Sequence, residues 1–527
     1  MRCDAVVIGA GHNGLVCGTY LARRGLRVVI VERRDVLGGA ASSEELWPGC
    51  RISRGAYVAG LLRPAVIREL DLERRGLRLL RRAPSSFTPL SDGRGLLLGG
   101  DLSQSCASIR RFSVRDAVAY PEYEAFLDRI ARWLEPLLDA TPPDPARLRA
   151  RDLPLLWRLA RGGYALRREL REIAALLVGP ASATLEGWFA SEPLRATLAT
   201  DAVIGAFAPP SAPGTGYVLF HHVMGETHGE RGVWAYVEGG MGRLADALAA
   251  AASDAGAEIR RGTEVARILV QNGWVRGVAL ADGSEIEAPL VVSNADPHRT
   301  LLGLLGREHL PEPVARSVDS LDLRSGSAKL NLVLDRLPAF RGSAPGVGPE
   351  HRGTIHLGAT DLPGIEAAFR DASEGRLPER PIVELTLPSA LDPSLAPPGR
   401  YVASMFVQYV PPALSRDDWA PLRSELASRC FAVADEVAPG FRESVLHCEV
   451  LAPPDLESLF GLSGGHIFHG AMSLDRLLFL RGVGDAGPYR TPQGGLYLCG
   501  AGTHPGGGVM GACGRNAARE ILRDLGR

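Results

Sequence analysis

Lysine is almost absent: among the 59 lysine and arginine residues of this 527-residue chain, only Lys329 is a lysine. Arginine serves everywhere else, so the one ammonium marks a position where a compact, readily deprotonated cation differs from a guanidinium. The eight cysteines include no C-x-x-C pair, which excludes a zinc knuckle and a dithiol redox centre and leaves reduced, mostly buried thiols. No histidine spacing such as H-E-x-x-H points to a metal. No apolar run approaches the roughly 20 residues needed to cross a bilayer. Arg23, Arg24, Arg27 and a glycine turn interrupt the apolar amino terminus, unlike a secretory segment. The formal net charge is −1, too small a field to concentrate a polyanion, so nucleic acid is not an expected partner. These absences predict a cytoplasmic protein that handles a small molecule, with peripheral membrane contact left open.

The length and a 46% hydrophobic composition provide for two domains. The run "AVVIGAGHNGLVCGTYLARRGLRVVIVE" reads as strand, glycine turn, helix and strand. In this βαβ unit Gly9 permits the tight turn, Gly11 lets backbone approach a pyrophosphate, and Gly14 lets the helix pack on the strand. His12 and Asn13 shape the same loop. Glu32 ends the second strand, where a carboxylate accepts from a ribose diol and disfavours a 2′-phosphate. The continuation from Arg33 through Gly38, Gly39 and Ala40 brings a second glycine pair close to the first.

Further blocks stand far along the chain. "EGGMGRLADALAAAASDAGAEIRRGTEVARILVQNGWVRGVALADGSEIEAPLVVSNADP", from Glu238 to Pro297, predicts a helix from Arg243, a strand at Glu258–Arg260, a hairpin and a strand at Leu290–Ser293. "GGLYLCGAGTHPGGGVMGACGRNAAREIL" predicts a strand, a glycine turn and a terminal helix starting near Gly508. The first intervening stretch is helical by periodicity. The second holds strand candidates "SAKLNLVLD", "PIVELTLP" and "YVASMFVQYV", expected to form a mixed sheet, with a helix over 416–437 behind it.

The phrases "GAGHNGLV", "HHVMGE", "GGMGRL", "VVSNADP", "GGHIFHGAMSLDRLLFLR" and "GAGTHPGGGVMGA" resemble phytoene desaturase-like FAD oxidoreductases across most of the length. The match is nearest to the branch named pyridine nucleotide-disulfide oxidoreductase domain-containing proteins, within the amine oxidase and carotenoid desaturase superfamily. The resemblance implies an α/β fold with a discontinuous Rossmann-like FAD-binding domain from 1–75, 238–300 and 490–527. The substrate-binding domain would then span 76–237 and 301–489, a mixed β-sheet carrying a helical insertion. It also implies that Val265 presents its backbone to adenine and that Asn294, Gly500, Gly502, Val509 and Met510 border FAD. Lys329 corresponds to a strand lysine linked through water to flavin N5 in amine oxidases. His504, in the terminal glycine turn, and His222 or His221, in a helix of the insertion, are the histidine candidates. His466 and His469 flank a nearby loop, and Asp296 reads as a strand-end turn.

The expected chemistry is hydride transfer to flavin N5 from a hydrophobic organic substrate, with a polyene as one form of it. Oxygen, a quinone or a protein would accept the electrons. A flavin amine oxidase, a flavin-dependent isomerase or saturase, an NAD-dependent dehydrogenase and a non-catalytic FAD-stabilised scaffold remain open at this level.

Overall fold

The computed structural model describes residues 1–527 apart from His228, Pro345, Asp485 and Ala486. Five strands form one sheet, in the order Glu258–Arg260, Val28–Val31, Ala5–Ile8, Leu290–Ser293 and Leu496–Leu498. Every pairing is parallel. The short β-branched runs are buried on both sides, as a covered parallel sheet requires. Alternation decides which layer each residue meets. Ala5 and Val7 pack against the helices His12–Ala22, Gly242–Asp254 and Ala512–Asp524. Val6 and Ile8 face a three-stranded antiparallel sheet built from Val265–Gln271, Trp274–Leu280 and Glu285–Glu287.

A second, seven-stranded sheet runs in the order Val445–Leu451, Ser327–Leu334, Tyr401–Gln408, Ile382–Thr386, Thr354–Leu357, Ser86–Pro89 and Gly95–Leu98. It is mixed: Thr354–Leu357 pairs in parallel with Ser86–Pro89, and all other neighbours are antiparallel. The three anticipated strands form its centre, and four more extend it, two of them from before the helical insertion. Ala328, Leu330, Met405, Val383 and Leu385 pack on the long helix Arg416–Val437 through Trp419, Leu426 and Cys430. The alternate positions, including Lys329, Glu384 and Phe406, therefore face the other way.

The stretch between Ser86 and Val237 supplies the expected helices. Val114–Leu138, Leu170–Val178, Ala181–Trp188, Glu192–Ala199 and Thr215–Val223 share a separate apolar core around Tyr123, Phe189 and Phe220. One boundary differs from expectation. The terminal helix begins at Ala512, not near Gly508. Gly506, Gly508 and Gly511 have φ of +120°, +106° and +72°, a region a right-handed helix cannot use, so the glycine turn continues to residue 511.

Candidate cofactor and active site

A cavity with about 2900 Å³ of empty space, its open mouth included, runs between the two sheets and the helical insertion. At one end its wall is the first glycine turn. Gly9, Gly11, His12 and Asn13 line it, with Glu32, Arg33, Gly38, Gly39, Ala40, Val265, Asn294 and Val509. The two glycine pairs are joined directly: Gly38 N donates to Ala10 O at 2.9 Å, and Gly11 and Gly38 form a parallel bridge. A Cβ on Gly11 would stand 2.5 Å from Asn294 Nδ2, so only glycine leaves this wall open. Glu32 is fixed by Ala10 N (2.9 Å) on Oε2 and by Arg34 N (3.0 Å) on Oε1. Carboxylate lone pairs remain for a diol. The Arg33 guanidinium donates to Ser458 O at 2.7 Å and Leu459 O at 2.9 Å.

Four of the anticipated cofactor residues lie behind the wall. Gly14 packs so tightly that a Cβ would stand 2.1 Å from Gly9 O, which ties the helix to the turn. Gly500 and Gly502 allow close passage by Asn294 O and Pro297. Met510 is buried with Leu61 and Ala512. Asp296 caps local backbone, accepting from Arg299 N (2.8 Å) and from Ser463 Oγ (2.8 Å).

The fit to an extended dinucleotide follows from what this wall leaves unsatisfied. His12 Nε2 and His469 Nδ1 are buried, both rings line the cavity, and neither nitrogen has a hydrogen-bond partner. Unpaired buried nitrogens of this kind are costly unless a ligand meets them. Burial, reinforced by His469, holds His12 near a pKa of about 4, so the ring is neutral at physiological pH. An elongated molecule rich in phosphate and hydroxyl oxygens would satisfy these nitrogens while lying along the glycine cradle toward Glu32.

Midway along the cavity, Lys329 is only 3% exposed. Its Nζ donates to Gly55 O at 2.6 Å and lies 4.1 Å from the centroid of the Tyr57 ring. Burial pushes its pKa well below the usual lysine value, partly opposed by Glu449. Glu449 is engaged by Arg54 and by Asn331 Nδ2 (3.0 Å). Phe406 is the cross-strand partner of Lys329, and Leu219, Val223, Trp234, Ile467 and Phe468 line the same cavity.

The histidine candidates divide. His222 is on the wall, its Nδ1 donating to Val218 O at 2.9 Å and its ring stacked on Trp234 with centroids 5.9 Å apart. Burial lowers its pKa to about 4. His504 and His221 do not reach the wall. His504 Nε2 donates to Leu137 O at 2.7 Å, and His221 Nε2 to Gly507 O at 2.9 Å. Both tie the terminal glycine turn to the insertion, and both are held neutral by burial, at about 4 and about 3.

The far end holds groups that sequence reasoning missed. Lys329, Phe406, Glu384 and His356 are consecutive cross-strand partners, and so share one face. Glu384 Oε2 accepts from Tyr57 OH at 3.2 Å, linking it to the ring under Lys329. Asp201, Glu124 and Arg82 complete this end of the wall. Burial, helped by Asp201, raises Glu384 to about 8, and burial raises Asp201 to about 7. It also raises Glu124. His356 is pushed down to about 3 and bonds Thr200 Oγ1 at 3.2 Å. The available signal was the alternation in "PIVELTLP", which sets Glu384 opposite Val383 and Leu385. Among the described residues, no group of histidine, cysteine and acidic side chains is arranged to hold a metal.

Comparison with known proteins gives this geometry its place. The family of flavin containing amine oxidoreductases matches residues 14–522. A rat (Rattus norvegicus) protein, pyridine nucleotide-disulfide oxidoreductase domain-containing protein 2, is 47% identical over 543 residues, covering 99% of this chain and 94% of its own. Hydroxyneurosporene desaturase of Cereibacter sphaeroides is 31% identical over 558 residues, covering 99% and 97%. Putrescine oxidase bound to putrescine has the same fold, with a TM-score of 0.58 at 15% identity over 100% of this chain and 99% of its own. With a dinucleotide cradle continuous with a roofed cavity, and a family match over nearly its whole length, the chain belongs to the flavin containing amine oxidoreductases, an FAD-dependent oxidoreductase by cofactor and fold.

Proposed function

We propose that this chain is a dehydrogenase or desaturase that takes a hydride from a hydrophobic organic substrate, a polyene being the form that best fits the cavity. The observation that carries this reading is one cavity lined both by the glycine cradle and by Lys329 with the apolar Leu219, Val223, Phe406, Ile467 and Phe468. The similarity to a desaturase over the whole chain supports it. The glycine cradle with Glu32 would hold FAD, which when bound would supply a two-electron acceptor for the hydride.

The protein's own groups do the rest. Leu219, Phe406, Ile467 and Phe468 exclude water and hold a C–H bond in one orientation, the condition on which hydride transfer depends most. Lys329, favoured in its neutral form by burial, holds or accepts a proton at Nζ beside Gly55 O. His222, kept neutral by a pKa of about 4 and bonded to backbone, orients the wall through its stack on Trp234. Oxygen, a quinone or another protein completes the cycle by accepting the electrons. A water-insoluble substrate is best delivered from lipid. The helix Leu153–Ala165 buries none of its residues and presents Trp157 and Tyr164, 72% and 70% exposed, beside Arg158 and Arg161. We assign peripheral membrane contact to this helix.

Anaerobic mixing of the FAD-loaded protein with candidate donors tests the reading. A conjugated polyene is expected to bleach the flavin absorbance, and simple alkylamines are expected to leave it unchanged. Bleaching by amines alone would replace this function with amine oxidation.

A further inference from the structure

The far end of the cavity carries polar groups that hydride transfer does not use. Arg82 is 2% exposed and lines the cavity. Its guanidinium donates to Ser85 O at 3.0 Å and to Thr354 Oγ1, and lies over the Tyr236 ring at 5.0 Å. Its Nε–H has no hydrogen-bond partner. Two carboxyls, Glu384 and Asp201, lie within electrostatic reach of it, and Glu124, bonded to Tyr120, stands beside Asp201 on the same cavity wall. Glu384 has Tyr57 as its one hydrogen-bond partner, and its raised pKa means that its carboxyl is largely protonated at neutral pH. A buried guanidinium with an idle N–H, beside the unpartnered Tyr236 OH and on the same cavity wall as Glu384 and Asp201, is an unfinished hydrogen-bonding site.

Cross-strand register fixes how far this site lies from Lys329. Glu384 is two strands from Lys329, and His356 three. We propose that this end anchors a hydroxyl terminus, making the substrate an amphiphile whose polar end is held about 10 Å from the carbon that reacts. The inference deepens the oxidoreductase reading and relies on it only for the location of the reacting carbon.

The choice of hydroxyl follows from the mixed charge of the site. A hydroxyl both donates and accepts, so it can accept from Arg82 Nε–H or from protonated Glu384 while donating to Asp201, whichever protonation state the pair holds. An ammonium cannot accept, and it would face the Arg82 cation. A carboxylate could accept from Arg82 Nε–H and from protonated Glu384, but it donates nothing to Asp201 and, where Asp201 is ionised, meets a like charge. A plain hydrocarbon end would leave Arg82 Nε–H without a partner and remove water from Glu384 and Asp201, which is costly in an enclosed site.

Calorimetric titration of the FAD-loaded protein tests this with four probes of matched length: nonanol, nonylamine, nonanoate and octyl methyl ether. Nonanol is expected to bind about tenfold or more tightly than each of the others. Substituting Glu384→Leu together with Asp201→Leu is expected to bring nonanol to the affinity of the ether while leaving the ether unchanged. If that pair of changes lowers FAD content, Arg82→Met serves in the same comparison. The proposal is overturned if the ether, the amine or the carboxylate matches nonanol, if no probe binds, or if the substitutions weaken all probes alike. Failure of the oxidoreductase reading shows elsewhere, as a flavin that no hydrophobic donor bleaches, and leaves an alcohol preference standing.

Discussion

Lys329 concentrates the residue-scale argument. Its burial disfavours the ammonium, and its Nζ donates to the Gly55 carbonyl. Methionine has nearly the same shape without the amine, so Lys329→Met should keep the fold, and the melting temperature should not fall. Rapid-mixing kinetics should show flavin reduction or reoxidation slowed on the order of 100-fold. Both half-reactions running at the native rate would remove Lys329 from the mechanism. This residue could be singled out in the sequence because it is the one lysine. Glu384, Asp201, Glu124 and Arg82 could not, since each looks ordinary in its own segment. Only the register from Lys329 through Phe406 to Glu384, and the helices laid across that face, bring them into one cavity. His504 marks the opposite case. Its place in a glycine turn suggested contact with the cofactor, whereas a long-range bond to Leu137 O turns the ring toward the insertion. Nothing in the local sequence specifies that partner.

Elements with strong periodicity were legible. The first strand, helix and second strand follow from β-branched runs and glycine spacing, and the helix Arg416–Val437 matches its expected span. The strands Ser86–Pro89 and Gly95–Leu98 were not, because short runs containing proline and glycine carry little β-signal and gain their place through pairing with Thr354–Leu357. The exposed helix Leu153–Ala165 yields a prediction at this scale. Trp157→Ser with Tyr164→Ser should leave stability within about 0.5 kcal/mol, as exposed positions usually do. Co-sedimentation with anionic phospholipid vesicles should weaken several-fold. Unchanged sedimentation would detach this helix from any membrane role.

Across the whole molecule, buried titratable groups set the response to pH. His12, His221, His222, His356, His466 and His504 are all held at about 3 to about 4 in the fold, below the ordinary 6.5. Unfolding therefore takes up protons between pH 6.5 and about 4, and stability falls as pH drops through that window. Glu384, Asp201 and Glu124 work in the opposite direction, since their raised values let the fold keep protons the unfolded chain has released. Six histidines outweigh three carboxyls. Thermal melts should show a steep loss of stability from pH 6.5 to 4.5, and a flat profile there would show that the histidines are not buried neutral.

The discontinuous assembly of the cavity from the first strand, the Glu238–Pro297 region and the carboxyl-terminal turn was foreseeable because each part carries its own glycine or strand signature. The course of the cavity past Lys329 was not, since it depends on how the insertion packs. The most direct test of the account is the flavin content of the purified chain, measured by visible absorbance and by the nucleotide released on denaturation. The account predicts about one FAD per chain, with Gly11→Val, which would drive a side chain into Asn294, reducing it severely. A folded chain that is colourless and takes up no FAD when it is supplied would contradict it.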